Sequence, residues 1–470
     1  MAPSTPASLL NLPAHPSTAA FGARWARARL AAAIAIGVAG VLAGCGGGGG
    51  GAGDAASPAT GSTGGATSAS APTATAYASG PITGLGSIIV NGVRYDDSAA
   101  RVVSDDDTEL RDDRRRLKLG MQVDVASGVV DDSTSRARAE TVRVGSELVG
   151  TVERVTLDAG GVIQSFVLLG QTVLIQRPGT VVDDSLPGGL AGITVGRLLE
   201  VHATFNGTAY VASFIELRSA AAVSRFKVRG VVSALDTVAK TFRIGTTPFS
   251  YNGLGAEALT ATLADGVLVR VEVATGASGG AGVLQALSVR PGRRASSTLT
   301  AGAAVADARL RGTVGKAPVS GLFELDGTPV QVDGSTRFDK GSLASIVVGA
   351  VVEVRGVLQS GTLLASRVTV RQTEDNSGAS GGGNSGSGNS ASGNRGGTDD
   401  IGGIELHGAA SEIDLAANRF TLTHAGGTRY TVTYTLDFDS VVSTSPKLEV
   451  KGTLSGDGRT IQATAIKRED

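Results

Sequence analysis

Between residues 79 and 467 one short pattern recurs five times, and any fold for this chain has to be assembled from that unit. Four units open on a glycine inside a strand-like stretch: Val149-Gly150-Thr151-Val152, Arg229-Gly230-Val231-Val232, Arg311-Gly312-Thr313-Val314 and His407-Gly408-Ala409. A phenylalanine strand follows in Phe166-Val167-Leu168, Phe242-Arg243-Ile244, Phe323-Glu324-Leu325 and Phe420-Thr421-Leu422. All five units then carry an apolar-acid-apolar triplet: Val123-Asp124-Val125, Leu199-Glu200-Val201, Val271-Glu272-Val273, Val352-Glu353-Val354 and Leu448-Glu449-Val450. They close on Ala139 to Val142, Ala212 to Ile215, Ala286 to Val289, Ala365 to Val368 and Ala463 to Ile466. The opening glycine and the acid are 42 residues apart from Gly230 to Glu272 and 41 apart in the last two units. The second unit stretches this to 50, with Gly160-Gly161 and Pro187-Gly188-Gly189 marking longer loops.

Alternation with a period of two runs through these signatures, so they predict half-buried strands. The triplet acids are expected to face solvent while their neighbours, the phenylalanines and the closing alanines face a core. The first unit lacks the phenylalanine; Ile88-Ile89-Val90-Asn91-Gly92-Val93 reads instead as a hairpin about Asn-Gly. About five short strands per unit, with a looser connection after the third, predict an all-β chain of tandem small five-stranded OB-like barrels joined by flexible linkers, after a disordered N-terminal region. A five-stranded open sandwich is the alternative. The expected divisions are a leader over 1–44, a Gly/Ser/Thr-rich tether over 45–78, repeats at 79–145, 146–218, 224–291, 307–372 and 401–470, and a Gly/Ser/Asn-rich linker over 373–400. Whether the barrels pack or hang apart is left open by the pattern.

The leader has its own grammar. Arg24, Arg27 and Arg29 precede an apolar run from Leu30 to Leu42, which ends in Leu42-Ala43-Gly44-Cys45. Such a basic, apolar and small-residue succession is that of a secretory signal peptide. Cys45, the single cysteine, resembles the acylated residue of the lipobox in bacterial lipoproteins. The apolar run is shorter than the roughly 20 residues of a membrane-spanning helix. The resemblance implies attachment to the cell envelope through a lipid on Cys45, with palmitate as one acyl group. Gly46 in place of aspartate favours the outer membrane by the sorting rule of that class. The tether after it has an r.m.s. reach of roughly 30 Å, from about 5–6 Å times the square root of its length.

Beyond the leader, the 42 basic residues fall by three against 43 acidic ones. A net negative chain lacks the basic surplus that non-specific nucleic-acid binding requires, and no nucleic-acid partner is expected. With Cys45 acylated no disulfide forms, so stability rests on burial. No cofactor is expected.

Motifs that could carry chemistry are sparse. Gly276-Ala277-Ser278-Gly279-Gly280 and Gly378-Ala379-Ser380-Gly381-Gly382 match the G-x-S-x-G pattern, but that elbow needs a strand before it and a helix after it, and these fall in a hairpin loop and a linker. His202, His407 and His424 are read as solvated residues, and no metal site is expected from histidines alone. The weak calcium candidates are Asp105, Asp106, Asp107 and Glu109, oxygen donors close in sequence but without the spacing of an EF-hand. Asp96-Asp97-Ser98, Asp131-Asp132-Ser133 and Asp183-Asp184-Ser185 read as turns.

The stretch from Gly80-Pro81-Ile82-Thr83-Gly84-Leu85-Gly86-Ser87 through Val93-Arg94-Tyr95-Asp96, then Leu117-Lys118-Leu119-Gly120-Met121, resembles proteobacterial lipoproteins built from domain of unknown function 5666. The later Gly, Phe, Val-Glu-Val and Ala-x-x-Val signatures are similar to it as well, over residues 79–467. The resemblance implies an OB-like fold and an envelope location, and supplies no catalytic residue. The expected function is a non-enzymatic, lipid-anchored protein presenting tandem barrels as binding or scaffold surfaces to an envelope protein or glycan, in the periplasm or at the cell surface. Two alternatives are an envelope-polymer hydrolase or carbohydrate-active enzyme, using acids such as Glu200 with Asp183, and a single-strand nucleic-acid-binding OB protein.

Overall fold

The computed structural model describes residues 75–104, 117–292, 304–371 and 403–469, apart from 426 and 436. These residues fall in one compact unit, Ser70–Asp470. Barrel one contains β1 (Ala76–Leu85), β2 (Ile88–Val90), β3 (Val93–Asp96), β4 (Arg101–Ser104), β5 (Gln122–Ser127) and β6 (Arg136–Val144). Barrel two contains β7 (Leu148–Leu157), β8 (Ile163–Leu168), β9 (Gln171–Ile175), β10 (Val181–Val182), β11 (Leu198–Phe205) and β12 (Tyr210–Leu217). Barrel three contains β13 (Arg225–Asp236), β14 (Thr241–Ile244), β15 (Thr247–Ser250), β16 (Leu268–Ala274) and β17 (Leu284–Pro291). Barrel four contains β18 (Val305–Val319), β19 (Leu322–Leu325), β20 (Thr328–Gln331), β21 (Arg337–Lys340), β22 (Val351–Gln359) and β23 (Thr362–Arg371). Barrel five contains β24 (Gly403–Asp414), β25 (Arg419–Thr423), β26 (Arg429–Tyr434), the short helix α1 (Asp439–Thr444), β27 (Lys447–Leu454) and β28 (Thr460–Arg468).

One ring of pairings closes each unit. In barrel five β24 pairs β25, β25 pairs β26, β26 runs parallel to β28, β28 pairs β27 and β27 returns to β24. Barrels two and three repeat that circuit through β7–β8–β9–β12–β11 and β13–β14–β15–β17–β16. Barrels one and four do so through β1–β2–β3–β6–β5 and β18–β19–β20–β23–β22. This is the OB order of strands, and closure removes the free edges that an open sandwich would leave. The looser connection after the third strand holds α1 in barrel five. In barrels one, two and four it holds β4, β10 and β21, each parallel to the last strand.

The repeated residues occupy equivalent places. Phe166, Phe242, Phe323 and Phe420 are buried, as are Ala139, Ala212, Ala286, Ala365 and Ala463. The first-unit hairpin forms as expected: Val90 pairs Val93 across Asn91 (φ 50) and Gly92 (φ 73), a turn that needs two residues in the left-handed region. The opening glycine has a common cause. At Gly80 a Cβ would stand 2.6 Å from Asn91 Oδ1; at Gly150 it would meet Leu169 at 3.3 Å; at Gly230, Gly312 and Gly408 it would collide with Ile244, Asp326 and the Thr423 carbonyl. Each of those neighbours sits at the tip of the second-to-third-strand hairpin, which folds back across the first strand and crowds the glycine there.

Register corrects two sequence expectations. Opposite each opening glycine lies the residue before the acid: Gly80↔Val123, Gly150↔Leu199, Gly312↔Val352 and Gly408↔Leu448. In barrel three Gly230 faces Val269, so Arg270, not Glu272, holds the acid's place. A bulge two residues further on agrees, at Ala126/Ser127, His202/Ala203, Glu272/Val273, Arg355/Gly356 and Lys451/Gly452. Nor do the triplet acids face open solvent. Asp124 is 1% exposed, and Glu200, Glu272, Glu353 and Glu449 are half-buried. The reason is that the outer face of these strands packs on other barrels or on arginine side chains, such as Arg371 2.9 Å from Glu353.

First strands also join the barrels. β1 runs parallel to β18 from Ala76↔Asp307 to Ser79↔Leu310, then parallel to β24 at Gly84↔Glu405 and Leu85↔Leu406. β7 pairs antiparallel with β13 at Leu148↔Val228 and Val149↔Lys227. The barrels therefore pack rather than hang as beads; the linkers expected to be flexible lie mostly outside the described residues. One apolar cluster spans barrels one and five and takes in Val181 and Phe214 of barrel two, a second spans two and three, and a third fills barrel four and takes in Tyr77 of β1.

Gly408→Ala is expected to lower the unfolding free energy by about 1–3 kcal/mol, because its methyl group meets backbone rather than a movable side chain. Gly128→Ala, where a Cβ has nothing within 4 Å, should change it by less than about 0.5 kcal/mol. Urea unfolding midpoints of the two variants check this, and equal effects would contradict the hairpin-crossing explanation.

Candidate functional site

The packing of convex barrels leaves space between them. One cavity of about 800 Å³, counting space open to solvent, is bounded by Tyr77 of barrel one, Glu147, Phe205 and Tyr210 of barrel two, Arg229 and Leu268 of barrel three, and Leu310 and Leu325 of barrel four. A second, of about 930 Å³ on the same measure, is bounded by Ile82 and Leu119 of barrel one, Val181 and Ser213 of barrel two, Val351 of barrel four, and Ile404 and Leu454 of barrel five. Gln122, Thr204, Arg311 and Thr313 line both, so the two adjoin.

Polar groups on these walls come from strand centres. Arg229 and Arg311 directly precede the opening glycines of their barrels, on the face that points away from the barrel interior, and both are buried. Arg229 pairs with the buried Glu147 at 3.1 Å, and Glu147 accepts from the Ala203 amide at 2.7 Å. The Tyr210 hydroxyl donates to the Arg229 carbonyl. Burial pushes that phenol above its ordinary pKa, so it stays a donor. Gln122 donates from its backbone to His202 Nδ1 at 3.2 Å and from its amide to Ser213 Oγ at 3.1 Å. Thr313 is 1% exposed, and its Oγ1 is buried without a hydrogen-bond partner among the described residues. Apolar walls with a few fixed polar groups, one of them unsatisfied, are suited to holding a small molecule in one orientation.

Beside the second cavity Lys118 bridges barrels one and two. Its Nζ is 2.7 Å from Asp183 and 3.1 Å from Glu216, and lies 5.7 Å from the centre of the Phe214 ring. Burial alone would raise the Asp183 carboxyl, but hydrogen bonds from Lys118 and Ser185 outweigh it and hold it below the usual carboxylate range. Barrel five reaches the same seam. Arg459 donates to the Asp183 carbonyl at 2.6 Å, and the Val182 amide donates to the Gly458 carbonyl at 2.9 Å.

Several sequence candidates can now be placed. Cys45 and the calcium candidates Asp105, Asp106, Asp107 and Glu109 lie outside the described residues, as does Gly378 to Gly382. Gly276 to Gly280 forms the loop between β16 and β17, without the strand-turn-helix of a nucleophile elbow. The three aspartate turns close as expected, with Ser98, Ser133 and Ser185 amides donating to Asp96, Asp131 and Asp183 at 3.0, 2.9 and 2.9 Å. Asp132 has a further part: it meets Arg309 at 2.6 Å and Arg355 at 2.8 Å across the seam with barrel four. The histidines are not solvated. His202 is 1% exposed and edge-on to Phe214, His407 is half-buried among acids, and the half-buried His424 has Nδ1 3.1 Å from the His407 carbonyl. Glu200 and Asp183, paired in the hydrolase reading, each face a cation, Arg218 at 3.5 Å and Lys118. What sequence reasoning missed is the buried pair Glu147–Arg229 and the cavity-lining Arg311; a charge placed immediately before the glycine was the available signal.

Comparison with known proteins agrees with the repeat. The family described as Domain of unknown function (DUF5666) matches residues 149–216 and 311–369. Those ranges run from the opening glycine's neighbourhood to the last strand of barrels two and four, so the match itself repeats, once in each of two barrels. No curated protein matches the chain.

Lys118→Met should lower the unfolding free energy by about 1–3 kcal/mol at pH 7, since it leaves the buried Asp183 carboxylate without its cation, while Glu216 keeps Arg218 at 2.7 Å. The Asp183 contribution is present above the unfolded carboxylate pKa of about 3.9 and is lost as pH falls through its lower folded value. The wild-type chain should therefore lose stability more steeply below pH 4 than Lys118→Met. Urea unfolding at pH 7 and at pH 3 tests it, and an equal difference at both would sink the assignment.

Proposed function

We propose that this chain is a non-enzymatic binding scaffold held at the bacterial cell envelope by a lipid on Cys45, in the outer membrane, and that the space between its barrels takes up a small, largely apolar ligand carrying one or two hydrogen-bonding groups. Tandem barrels, two of which match a domain of unknown function, fit a scaffold or binding role. The observation that carries the reading is the convergence of side chains from different barrels on adjoining cavities, with the Thr313 hydroxyl buried there and unsatisfied. The leader supports the address: three arginines, an apolar run and Leu42-Ala43-Gly44-Cys45 in succession. The pairing of Asp183 with Lys118 disfavours the hydrolase reading, because a general acid needs a carboxyl held above its ordinary pKa.

Two measurements test this. Full-length protein extracted from membranes should carry a copurified small molecule in native mass spectrometry, and Thr204→Trp, which fills the shared wall of the cavities, should lose it. A protein without a bound species, and without any thermal shift against a library of small amphipathic compounds, would end the ligand reading. Separately, Cys45→Ser should move the protein from the membrane pellet to the soluble envelope fraction with its unfolding transition unchanged; continued sedimentation with membranes would refute the anchor.

A further inference from the structure

Barrel five carries, at its seam with barrel one, an imidazole converging with two carboxylates. His407 on β24 lies opposite Glu449 on β27, and Glu405 shares its face two residues earlier. One donor atom from each of the three lies within 4.8 Å of the others. His407 Nε2 is 3.1 Å from Glu405 Oε1. That separation is close to the ~3.3 Å edge of a tetrahedron whose bonds are about 2.0–2.1 Å long.

The ring is held in place by packing. Gly86, at φ +128, lies against it so closely that a Cβ there would stand 2.8 Å from the imidazole carbon Cγ. Arg94 Nη1 stands 3.3 Å from Nε2, and Glu469 Oε1 stands 3.5 Å from Nδ1. A carboxylate beside the second ring nitrogen is the arrangement by which metal-ligating histidines are oriented.

Two cations now serve these acids. Arg94, from barrel one, pairs with Glu405, and Lys451 Nζ lies 3.0 Å from Glu405 Oε2 and 3.4 Å from Glu449 Oε1. We propose that Glu405, His407 and Glu449 form a divalent-cation site of the zinc class, in which the Arg94 guanidinium occupies the position that the metal takes. All three ligands belong to barrel five and the competing cation belongs to barrel one. Metal binding therefore exchanges a contact between barrels for one within a barrel, and the site reports on the seam.

The test uses the full chain, stripped with a chelator and titrated with zinc sulfate by calorimetry. Cobalt(II) absorption in the visible reads the donor geometry. One ion per chain is expected. His407→Ala should weaken binding by about 10–100-fold. Arg94→Ala should tighten it by about tenfold, because the charge-assisted bond that the metal has to break is gone. That gain separates the proposal from a folding defect, and a circular-dichroism melt of each variant accompanies it. Wild-type affinity in His407→Ala would mark an adventitious ion only and overturn the site. Unchanged affinity in Arg94→Ala would overturn the competition.

Discussion

Every barrel depends on a close crossing of a hairpin tip over a strand. The hairpin formed by the second and third strands has to fold back over the first strand for the third to reach the last, and the space over the crossing glycine is taken by a side chain of the hairpin tip in four barrels and by its backbone in the fifth. Closed five-stranded rings have strongly coiled strands, so the first strand is long, bends at the glycine and serves the second strand with one half and the fourth with the other. The bulge opposite, always two residues past the acid's position, supplies the matching bend. A glycine and a bulge at fixed separation are thus two ends of one geometric requirement. That is why the register between them is the same in all five barrels although the loops in between grow and shrink.

Much of this was legible because it is local and repeated. Periodicity announced the strands, the Asn91-Gly92 turn announced a hairpin, and the recurring Phe and Ala marked positions that face inward. The register of barrel three was misread, since Val269-Arg270-Val271-Glu272-Val273 offers two overlapping triplets and only pairing with β13 chooses between them. The seams were illegible for a different reason. A strand that alternates apolar and polar residues announces one buried face, and nothing in the alternation says that the other face meets a neighbouring barrel. Hence Asp124 and His202, reasonable as solvent-facing residues on a lone barrel, are buried. Only residues such as Arg229, Arg311 and His407, polar groups set directly before the crossing glycine, hinted that this outer face does something besides meet water.

The same seams assemble the candidate sites. Glu147 with Arg229 and Lys118 with Asp183 and Glu216 each pair charges from two different barrels. Paired charges in partly dry surroundings add little net stability beyond apolar packing, but they penalise misdocking, because a shifted barrel would strand a charge. The cavities follow from the same geometry: rounded barrels touching along single strands cannot fill the space where four of them meet. Repetition of one fold, with different charged residues at the seam-facing positions, is enough to make a binding space that no single unit contains.

Among the described residues the first strand, β1, is also the most connected, lying beside β18 along one half and β24 along the other. A chain delivered N-terminus first exposes that strand earliest, yet two of its partners arrive only with residues near 307 and 405. Contacts of such long sequence separation are slow to form and leave apolar surface uncovered meanwhile. Completion of the body is therefore tied to the arrival of its last barrel, and a truncated chain would leave β1 as an open docking edge, marked for removal or for capture by another copy.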